Sequence, residues 1–177
     1  MASPDRGDVT VLFATPRLVV RRLRADDVAP LLLVFGDPVG ARHYGDGRPW
    51  GRADAAAFLA RYPRGDPRLL SEPGLALDRA TGATVGFGGV GYYRRDDAGA
   101  ELFFILRRAW WGRGLATELA AGALAAAWRV PAIARVVATA HPDNAASARV
   151  LEKCGFACDG PLPGKARLAY HRDRPRE

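Results

Sequence analysis

Two glycines stand one residue apart in the segment from Trp110 to Glu118, which has the sequence WWGRGLATE. Glycine lets a phosphate approach the backbone closely, and the unpaired N–H groups at a helix N-terminus attract anions. The segment lies between a predicted strand and a predicted helix, which suits a pyrophosphate site. It lacks the Gly-Lys-Ser/Thr of a P-loop and the third glycine of a dinucleotide fingerprint. Since Gly-x-Gly is also common in ordinary turns, this segment alone leaves phosphate binding and a plain turn equally open.

The elements that must position this segment follow from hydrophobic periodicity and from turn residues. The predicted strands are 18–23, 74–77, 84–93, 100–106, 134–138 and two more near Phe156 and Leu168. The predicted helices are 28–35, capped by an acidic residue of Arg24–Asp27, then 52–62, 117–128 and 145–154. A loop is expected at 63–73. Strands first and alternating helices and strands later predict an α/β (α+β) fold with a mixed, mostly antiparallel sheet flanked by helices.

Length and composition indicate one domain over residues 1–177, with a frayed N-terminus at about 1–11. Hydrophobic residues make up 49% and charged residues 25% of the chain, with no apolar run near the length of a membrane-spanning helix. The first residues also lack the apolar stretch of a signal peptide. We therefore expect a cytoplasmic protein that does not enter the membrane.

The net charge of +7 and the isoelectric point near 10.1 favour anionic partners. The arginines are spread along the chain without a basic tract or a nucleic-acid-binding motif, so no nucleic-acid partner is expected. Cys154 and Cys158 are interpreted as buried small residues rather than as a disulfide or metal pair. His43, His141 and His171 do not have metal-ligand spacing, and no metal site is predicted.

The run Ala100–Glu118, AELFFILRRAWWGRGLATE, closely resembles the acyl-CoA-binding motif of GNAT acetyltransferases. The likeness is strongest to the branch that includes the Rim-type ribosomal-protein N-terminal acetyltransferases. Three further matches come in the expected order and extend the resemblance over about residues 15–160: TPRL from Thr15 with Arg21 and Asp27, then Gly86, then Asn144-x-x-Ser147 leading to Phe156. The resemblance implies an acetyl-CoA-dependent N-acetyltransferase with a single GNAT domain, in which two parallel strands splay apart around acyl-CoA.

The resemblance also implies which residues contact acetyl-CoA. The backbone of 112–117 corresponds to the pyrophosphate cradle, the end of the strand at 104–106 pairs with the pantetheine amides, and Asn144 binds the pantetheine arm. Trp111 replaces the Gln or Arg of the commonest pattern and is usual in the Rim-like branch. Arg107 and Arg108 meet phosphates or are simply solvated. The implied cofactor-binding residues are Phe104, Ile105, Leu106, Trp111, Gly112, Arg113, Gly114, Leu115, Ala116, Thr117 and Asn144.

Two residues are candidates for the catalytic proton transfers. Glu101 is the one ionisable side chain in ELFFIL, and strand alternation places it on the face of Phe103 and Ile105, where burial would raise its pKa. It is either the general base, directly or through water, or the partner of an arginine on a neighbouring strand. By analogy with the Rim-like branch, Ser147 is either the proton donor to the thiolate or a polar residue that satisfies the helix N-terminus. A backbone N–H at Ile105 or Leu106 would polarise the thioester carbonyl.

Acceptor binding is expected at aromatic and imidazole side chains outside the cofactor motif. The candidates are His43, Tyr44 and Tyr92, together with the regions of Trp50 and the C-terminal hairpin, although each also suits ordinary packing. Family members often have glycine at the position of Phe103, whose ring would narrow the acceptor tunnel. A protein N-terminus, a small amine or antibiotic, and a noncatalytic acyl-CoA sensor stay open, as do a monomer and a homodimer.

Overall fold

The computed structural model describes residues 10–62, 69–93 and 99–175, with the backbone alone at 69, 70, 92 and 93. The strands in these ranges are β1 Val11–Ala14, β2 Leu18–Arg21, β3 Leu69–Ser71, β4 Gly74–Asp78, β5 Thr84–Tyr93, β6 Ala100–Leu106, β7 Arg135–Ala140, β8 Ala157–Pro161 and β9 Leu168–Asp173. The helices are α1 Val28–Phe35, α2 Pro38–Ala41, α3 Arg52–Arg61, α4 Leu115–Ala127 and α5 Ala145–Lys153, and a 3₁₀ turn spans Arg108–Trp110.

The strands form one mixed sheet in the order β1-β2-β4-β5-β6-β7-β9-β8, with β3 paired to β5. Its described pairs are antiparallel, with the exception of β6 and β7, which run parallel. A parallel pair needs a crossover connection, and α4 supplies it between β6 and β7. The predicted α/β fold is therefore confirmed, with its parallel pair at the centre of the sheet.

Two apolar layers cover the two faces of the sheet. Helix α4 packs on one face through Leu115, Leu119 and Leu124, and α5 joins the same cluster through Leu151. Helices α1 and α3 pack on the opposite face, where their side chains contact Leu75 and Phe87. Among the described residues, no helix is both long and apolar enough to span a membrane.

Close packing of β5 against β6 requires glycine at position 86. A Cβ built on Gly86 would lie 2.3 Å from the carbonyl oxygen of Ile105, which is closer than real contacts allow. The contact is with backbone, so a side chain at this position would push the two strands apart. The absence of a side chain at Gly86 therefore allows β6 to pack closely against β5.

The predicted meander, the later strands and the main helices are confirmed, with small changes in their bounds. Helix α4 begins at Leu115 rather than at 117. Helix α2 and strands β1 and β3 are not predicted from the sequence: β3 lies within the expected loop at 63–73, and β1 overlaps the segment that was expected to be frayed. β1 is a short edge strand whose Val11 is 53% exposed, and such a strand is specified by its pairing with β2 rather than by a strong apolar pattern.

The expectation that both cysteines are buried is wrong for one of them. Cys154 is buried near the end of α5, whereas Cys158 is exposed. Cys158 lies on β8, an edge strand of the sheet whose side chains are mostly exposed. Position at an edge, rather than residue type, decides its exposure.

Asp27 precedes α1 and is buried, with 3% of its surface exposed. Its carboxylate does not cap the helix by a side-chain hydrogen bond, contrary to the expectation from the sequence. It accepts two hydrogen bonds from the Arg21 guanidinium, at 2.8 and 2.7 Å, and a third from the Arg24 N–H at 2.7 Å. The buried ion pair therefore ties the end of β2 to the start of α1.

Replacement of Asp27 by alanine is expected to destabilise the fold strongly, because it leaves the Arg21 charge buried without its partner. The expected loss is about 3 kcal/mol or more in the free energy of unfolding, measured by urea denaturation. Asp26→Ala is the matched control, since that side chain is 72% exposed and its loss should change stability by no more than about 0.5 kcal/mol. Equal stabilities of the two variants would show that the ion pair does not hold α1.

Candidate functional site

The pairing of β6 with β7 ends after two residue pairs. Ala100 pairs with Val136 and Glu101 with Val137, and no ladder continues although β6 runs to Leu106 and β7 to Ala140. A cleft of about 1000 Å³ opens at this place. The unpaired edge of β6 offers its backbone groups to a ligand, as an exposed strand edge does.

The register of β5 and β6 determines which amides of β6 face the cleft. The Arg107 N–H donates to the Val85 carbonyl at 2.9 Å, and Ile105 stands opposite Phe87. Amides alternate in direction along a strand, so the Ile105 N–H points to β5 and the Leu106 N–H to the open side. The Trp111 indole N–H donates to the Leu106 carbonyl at 2.8 Å on that same open side. Of the two amides considered from the sequence, Leu106 is therefore the one that faces the cleft.

The Gly-x-Gly segment forms a tight turn that leads into α4. Gly112 and Gly114 have φ values of 73° and 74°, in the left-handed region that favours glycine. Gly114 is the N-cap of α4, and the residue provides no side chain to cap the free N–H groups of the first turn. Leu115, Ala116 and Thr117 line the cleft. Their unpaired amides and the positive end of the helix dipole therefore form an anion site.

Arg17 fixes this turn from the far end of the chain. Its Nε and Nη2 both lie 2.6 Å from Glu118 Oε2, and its Nη1 donates to the Arg113 carbonyl at 3.0 Å. Thr15 Oγ1 also donates to Glu118, at 2.6 Å. Partial burial of Glu118 opposes ionisation, but the hydrogen bonds from Thr15 and Arg17 outweigh it and lower the pKa of the Glu118 carboxyl. We call this group of residues the loop clamp: Thr15, Arg17 and Glu118. The loop clamp fixes the glycine turn at the N-terminus of α4.

Asn144 and Ser147 line the cleft from the N-terminus of α5. The Asn144 side-chain oxygen accepts a hydrogen bond from the Ser147 N–H at 3.1 Å and so caps the helix. The Ser147 hydroxyl makes no hydrogen bond with the residues that the structure describes. The capping role that we considered for Ser147 is thus filled by Asn144, and the Ser147 hydroxyl is left for a ligand.

Glu101 lies where the β6–β7 ladder ends, and its carboxyl lines the cleft. The side chain has an exposed surface because the cleft is open, while protein atoms on either side still displace part of its hydration. This desolvation raises the pKa of Glu101, against the opposite effect of the Lys165 and Arg167 charges. Within the described residues Glu101 forms no ion pair, so the pairing with a neighbouring arginine is not observed.

An aromatic wall borders the cleft on the face of β6 that carries Glu101. The Phe103 ring packs against Tyr44 and Phe87, with centroid separations of 5.4 and 5.8 Å. Burial raises the pKa of Tyr44, so its phenol stays neutral. Trp50 stacks on Phe35 at 4.2 Å instead of lining the cleft. Trp50 is therefore a packing residue, while Phe103 and Tyr44 form the wall.

His43 reaches the cleft from the turn after α2 and stacks on His141, with ring centroids 4.9 Å apart. Burial and the adjacent Arg42 charge lower the pKa of His43, which favours the neutral imidazole. His141 follows β7, so this stack joins the α2 turn to the open end of β7. Among the residues described, no group of three or more His, Cys, Asp or Glu side chains is placed to hold a metal ion.

The cleft brings together most of the residues predicted from the sequence: Glu101, Ser147, His43, Tyr44, Phe104, Ile105, Leu106, Trp111, Gly112, Gly114, Leu115, Ala116, Thr117 and Asn144. Arg113 does not line it, and its side chain lies over the Trp110 ring at 5.1 Å. The Tyr92 side chain is outside the part of the chain that the structure describes. Neither Arg107 nor Arg108 lines the cleft: Arg107 donates to the Thr84 carbonyl, and Arg108 pairs with Asp37.

Several residues of the site were not identified as such from the sequence. Arg17 and Thr15 were recognised as part of a motif but without a function, because the contact with Glu118 spans about a hundred positions in the chain. Arg42, Lys165 and Arg167 line the cleft without any local signal beyond their charge.

Comparison with known proteins agrees with this geometry. The sequence profile of the family "Acetyltransferase (GNAT) domain" matches residues 17–157. A GNAT-family acetyltransferase from Bacillus anthracis shares the fold with a TM-score of 0.75 at 17% identity, over 91% of this chain and 97% of that one. A search of curated proteins gives no match to the sequence.

Two further solved structures share the fold but carry different descriptions. A protein from Vibrio cholerae, provisionally described as a ribosomal-protein-serine acetyltransferase, has a TM-score of 0.68 at 17% identity, over 91% of this chain and 96% of that one. A spermidine N-acetyltransferase variant from Vibrio cholerae has a TM-score of 0.67 at 17% identity, over 89% of this chain and 94% of that one. The profile match covers most of the chain and includes most of the residues that line the cleft. The protein therefore belongs to the GNAT acetyltransferase family.

Proposed function

We propose that the protein transfers the acetyl group of acetyl-CoA to a primary amine, and that its relatives are the Rim-type protein N-terminal acetyltransferases. The observation that carries this proposal is the arrangement around the end of the β6–β7 ladder. An anion site at α4 and an open strand edge lie along one cleft with the Glu101 carboxyl. The Trp111 hydrogen bond to the Leu106 carbonyl supports the Rim-like branch, because it gives the tryptophan of that branch a role in shaping the strand edge.

The cleft fits acetyl-CoA as its donor substrate. The pyrophosphate would lie on the amides of 112–117, where Gly112 has open space on the side that a Cβ would occupy. A pantetheine carbonyl would accept from the free Leu106 N–H, and the Asn144 amide nitrogen would donate to the same arm. Acetyl-CoA supplies an activated thioester, and the chain positions that thioester and moves the protons.

Glu101 is proposed as the general base. An amine with an ordinary pKa is mostly protonated near neutral pH, so a nearby carboxylate that accepts its proton raises the fraction that can react. The raised pKa of Glu101 makes it a stronger base than an ordinary glutamate. The proton passes to the carboxylate either directly or through one water molecule.

Phe104 and Ser147 are proposed to complete the transfer. The Phe104 N–H lies two residues before Leu106, on the same open side of the strand and nearer to Glu101 in β6. It would donate to the thioester carbonyl as negative charge develops there, a contribution of about 3 kcal/mol for one backbone donor. The Ser147 hydroxyl has no partner among the described residues and would relay a proton to the departing thiolate, taking up the proton that the nitrogen of the tetrahedral intermediate loses. Leu151, at the position where many relatives have tyrosine, is buried and apolar.

The identity of the amine is the finer part of the proposal. A protein N-terminus is the first candidate, by likeness to the Rim-type branch. A small amine is the second, and the aromatic wall favours it, because the Phe103 ring occupies space beside Glu101 that a glycine would leave open. His43 and Tyr44 are proposed to contact either acceptor. A single domain over 1–177, a cytoplasmic location, and a monomer or homodimer stay predictions from the sequence.

Replacement of Glu101 by glutamine tests the proposed base. We expect kcat/KM for the amine to fall by roughly 10² to 10⁴-fold, with little change in the affinity for acetyl-CoA. Free-thiol release from acetyl-CoA over a panel of peptides, amino acids, polyamines and aminoglycosides provides the measurement. The acidic limb of the pH–rate profile should lie above the ordinary glutamate range in the wild type, because the base must be ionised and its pKa is raised.

Ser147→Ala is the companion variant in the same assay. It should lower kcat and keep the acidic limb of the profile, since the limb belongs to Glu101. Unchanged rates in both variants with an active wild type would sink the assignment of both residues. Tight acetyl-CoA binding without turnover on any amine would favour the acyl-CoA sensor instead.

Replacement of Arg17 by glutamine tests the loop clamp. The variant loses the hold on the Arg113 carbonyl and on Glu118, so the glycine turn is less ordered before the phosphates arrive. We expect KM for acetyl-CoA to rise about tenfold, a factor that corresponds to the free energy of one charge-assisted hydrogen bond. The value of kcat should stay nearly constant. Arg135→Gln is the control, since Arg135 on β7 forms an exposed ion pair with Asp173 on β9 and does not line the cleft. Equal KM values for the two variants would contradict a role of Arg17 in the site.

A further inference from the structure

The charges around the cleft are strongly unbalanced. Its described lining contains one carboxylate, Glu101, and five basic side chains: Arg42, Arg149, Lys153, Lys165 and Arg167. A cleft of this sign repels polycations and attracts molecules that carry negative charge. The phosphates of the donor would account for some of these basic residues. The positions of the five side chains show which of them lie away from the donor side.

The basic residues fall into two groups. Arg149 and Lys153 lie on α5, beyond Asn144 and Ser147, and belong with the proposed donor side. Lys165 and Arg167 act electrostatically on Glu101, and Arg42 and Arg167 act on His43. Arg42, Lys165 and Arg167, here called the acceptor-end cations, therefore line the same cleft as the proposed base and the proposed acceptor residue, and Arg42 contacts the latter directly.

Sheet register explains why the acceptor-end cations meet. Arg167 directly precedes Leu168, which pairs with Ala140, the last residue of β7. His141 comes next in the chain and stacks on His43. The Arg42 Nε–H donates to His43 Nε2 at 3.1 Å, which fixes the guanidinium beside this stack. The α2 turn and the β8–β9 hairpin thus bring their cations to the same end of the cleft.

The acceptor-end cations have no counter-ions among the described residues. Arg21, Arg22, Arg48 and Arg135 all pair with carboxylates at 3.0 Å or less, whereas no ion pair links Arg42, Lys165 or Arg167 to a described carboxylate. Asp143, the nearby acid, lies 3.7 Å from His141. Three unpaired cations in a cleft with a single described carboxylate leave an excess of positive charge that an anionic ligand would offset.

We propose that the acceptor amine belongs to a molecule with a carboxylate or phosphate a few bonds from the reacting nitrogen, and that Arg42, Lys165 and Arg167 bind this anionic group. The inference rests on the proposed acetyl transfer and specifies its acceptor. The anion holds the molecule while Glu101 takes the proton of the amine, so the two ends of the acceptor meet opposite charges. Polyamines and aminoglycosides, which lack such a group, are excluded.

The test compares acceptors that differ in the anion alone. The first pair is a free amino acid and its carboxamide. The second pair is two peptides that have glutamate or glutamine directly after the N-terminal residue. Spermidine is added as a polycation. We expect the anionic member of at least one pair to have a KM about tenfold or more below its neutral partner, as for a charge-assisted hydrogen bond. The pair that shows the difference identifies the source of the anion, free amino acid or acidic N-terminus.

The double variant Lys165→Gln/Arg167→Gln should abolish this preference and leave KM for acetyl-CoA unchanged. Arg129→Gln, in the turn after α4, removes an exposed charge outside the cleft and should keep the preference. Equal KM values for the anionic and neutral members of every pair, or a preference for spermidine, would overturn the inference. The proposed function would still stand in that case, because the protein would still acetylate an amine.

Calorimetry of the anionic panel members with the CoA-loaded protein covers the case of no turnover. Binding that is lost in the double variant would support the anion site even if the proposed transfer failed. No binding to the wild type would overturn the inference, whatever the assay of acetyl transfer shows.

Discussion

The site depends on one constraint, the end of the β6–β7 ladder after Glu101. A continuous parallel pair would satisfy the backbone of both strands and leave no edge for a ligand. Because the ladder stops, the Leu106 amide faces open space. Helix α4 is the crossover that the parallel pair requires, and its N-terminus lies close to the end of β6 in the chain, so an anion site forms beside the free edge. Strand edge and helix terminus are thus two results of the same topology.

Long-range contacts connect the elements around this opening. The loop clamp links the first strands to the glycine turn, and the Arg21–Asp27 pair holds α1 against the sheet. Gly86 brings β5 close to β6, so the edge that remains free is the one toward β7. The two ends of the cleft then differ in character: helix amides and Asn144 at one end, and Glu101 with unpaired cations and an aromatic wall at the other. This asymmetry suits a reaction between a phosphorylated donor and an acceptor amine.

Local patterns in the sequence were sufficient for the elements near the site and for its cofactor side. The apolar alternation of β6, the glycines before α4 and the Asn144 cap are all encoded within a few residues. The missed features depend on partners distant in sequence: Glu118 needs Arg17, and Arg167 comes to the cleft that Glu101 lines through the register of β9 on β7. Asp27 was misread for the same reason, since the carboxylate that looks like a helix cap is taken by Arg21.

Backbone amide exchange, followed by NMR as acetyl-CoA is added, tests most directly whether the opening between β6 and β7 is the donor site. We expect slower exchange at Leu106 and in the first turn of α4, because the donor would occupy these unpaired amides. The Ile105 amide, already paired with β5, and the amides of β1 and β2 should not change. Slower exchange elsewhere in the fold instead, or no change in exchange on saturation with acetyl-CoA, would contradict the assignment of the opening between β6 and β7 as the donor site.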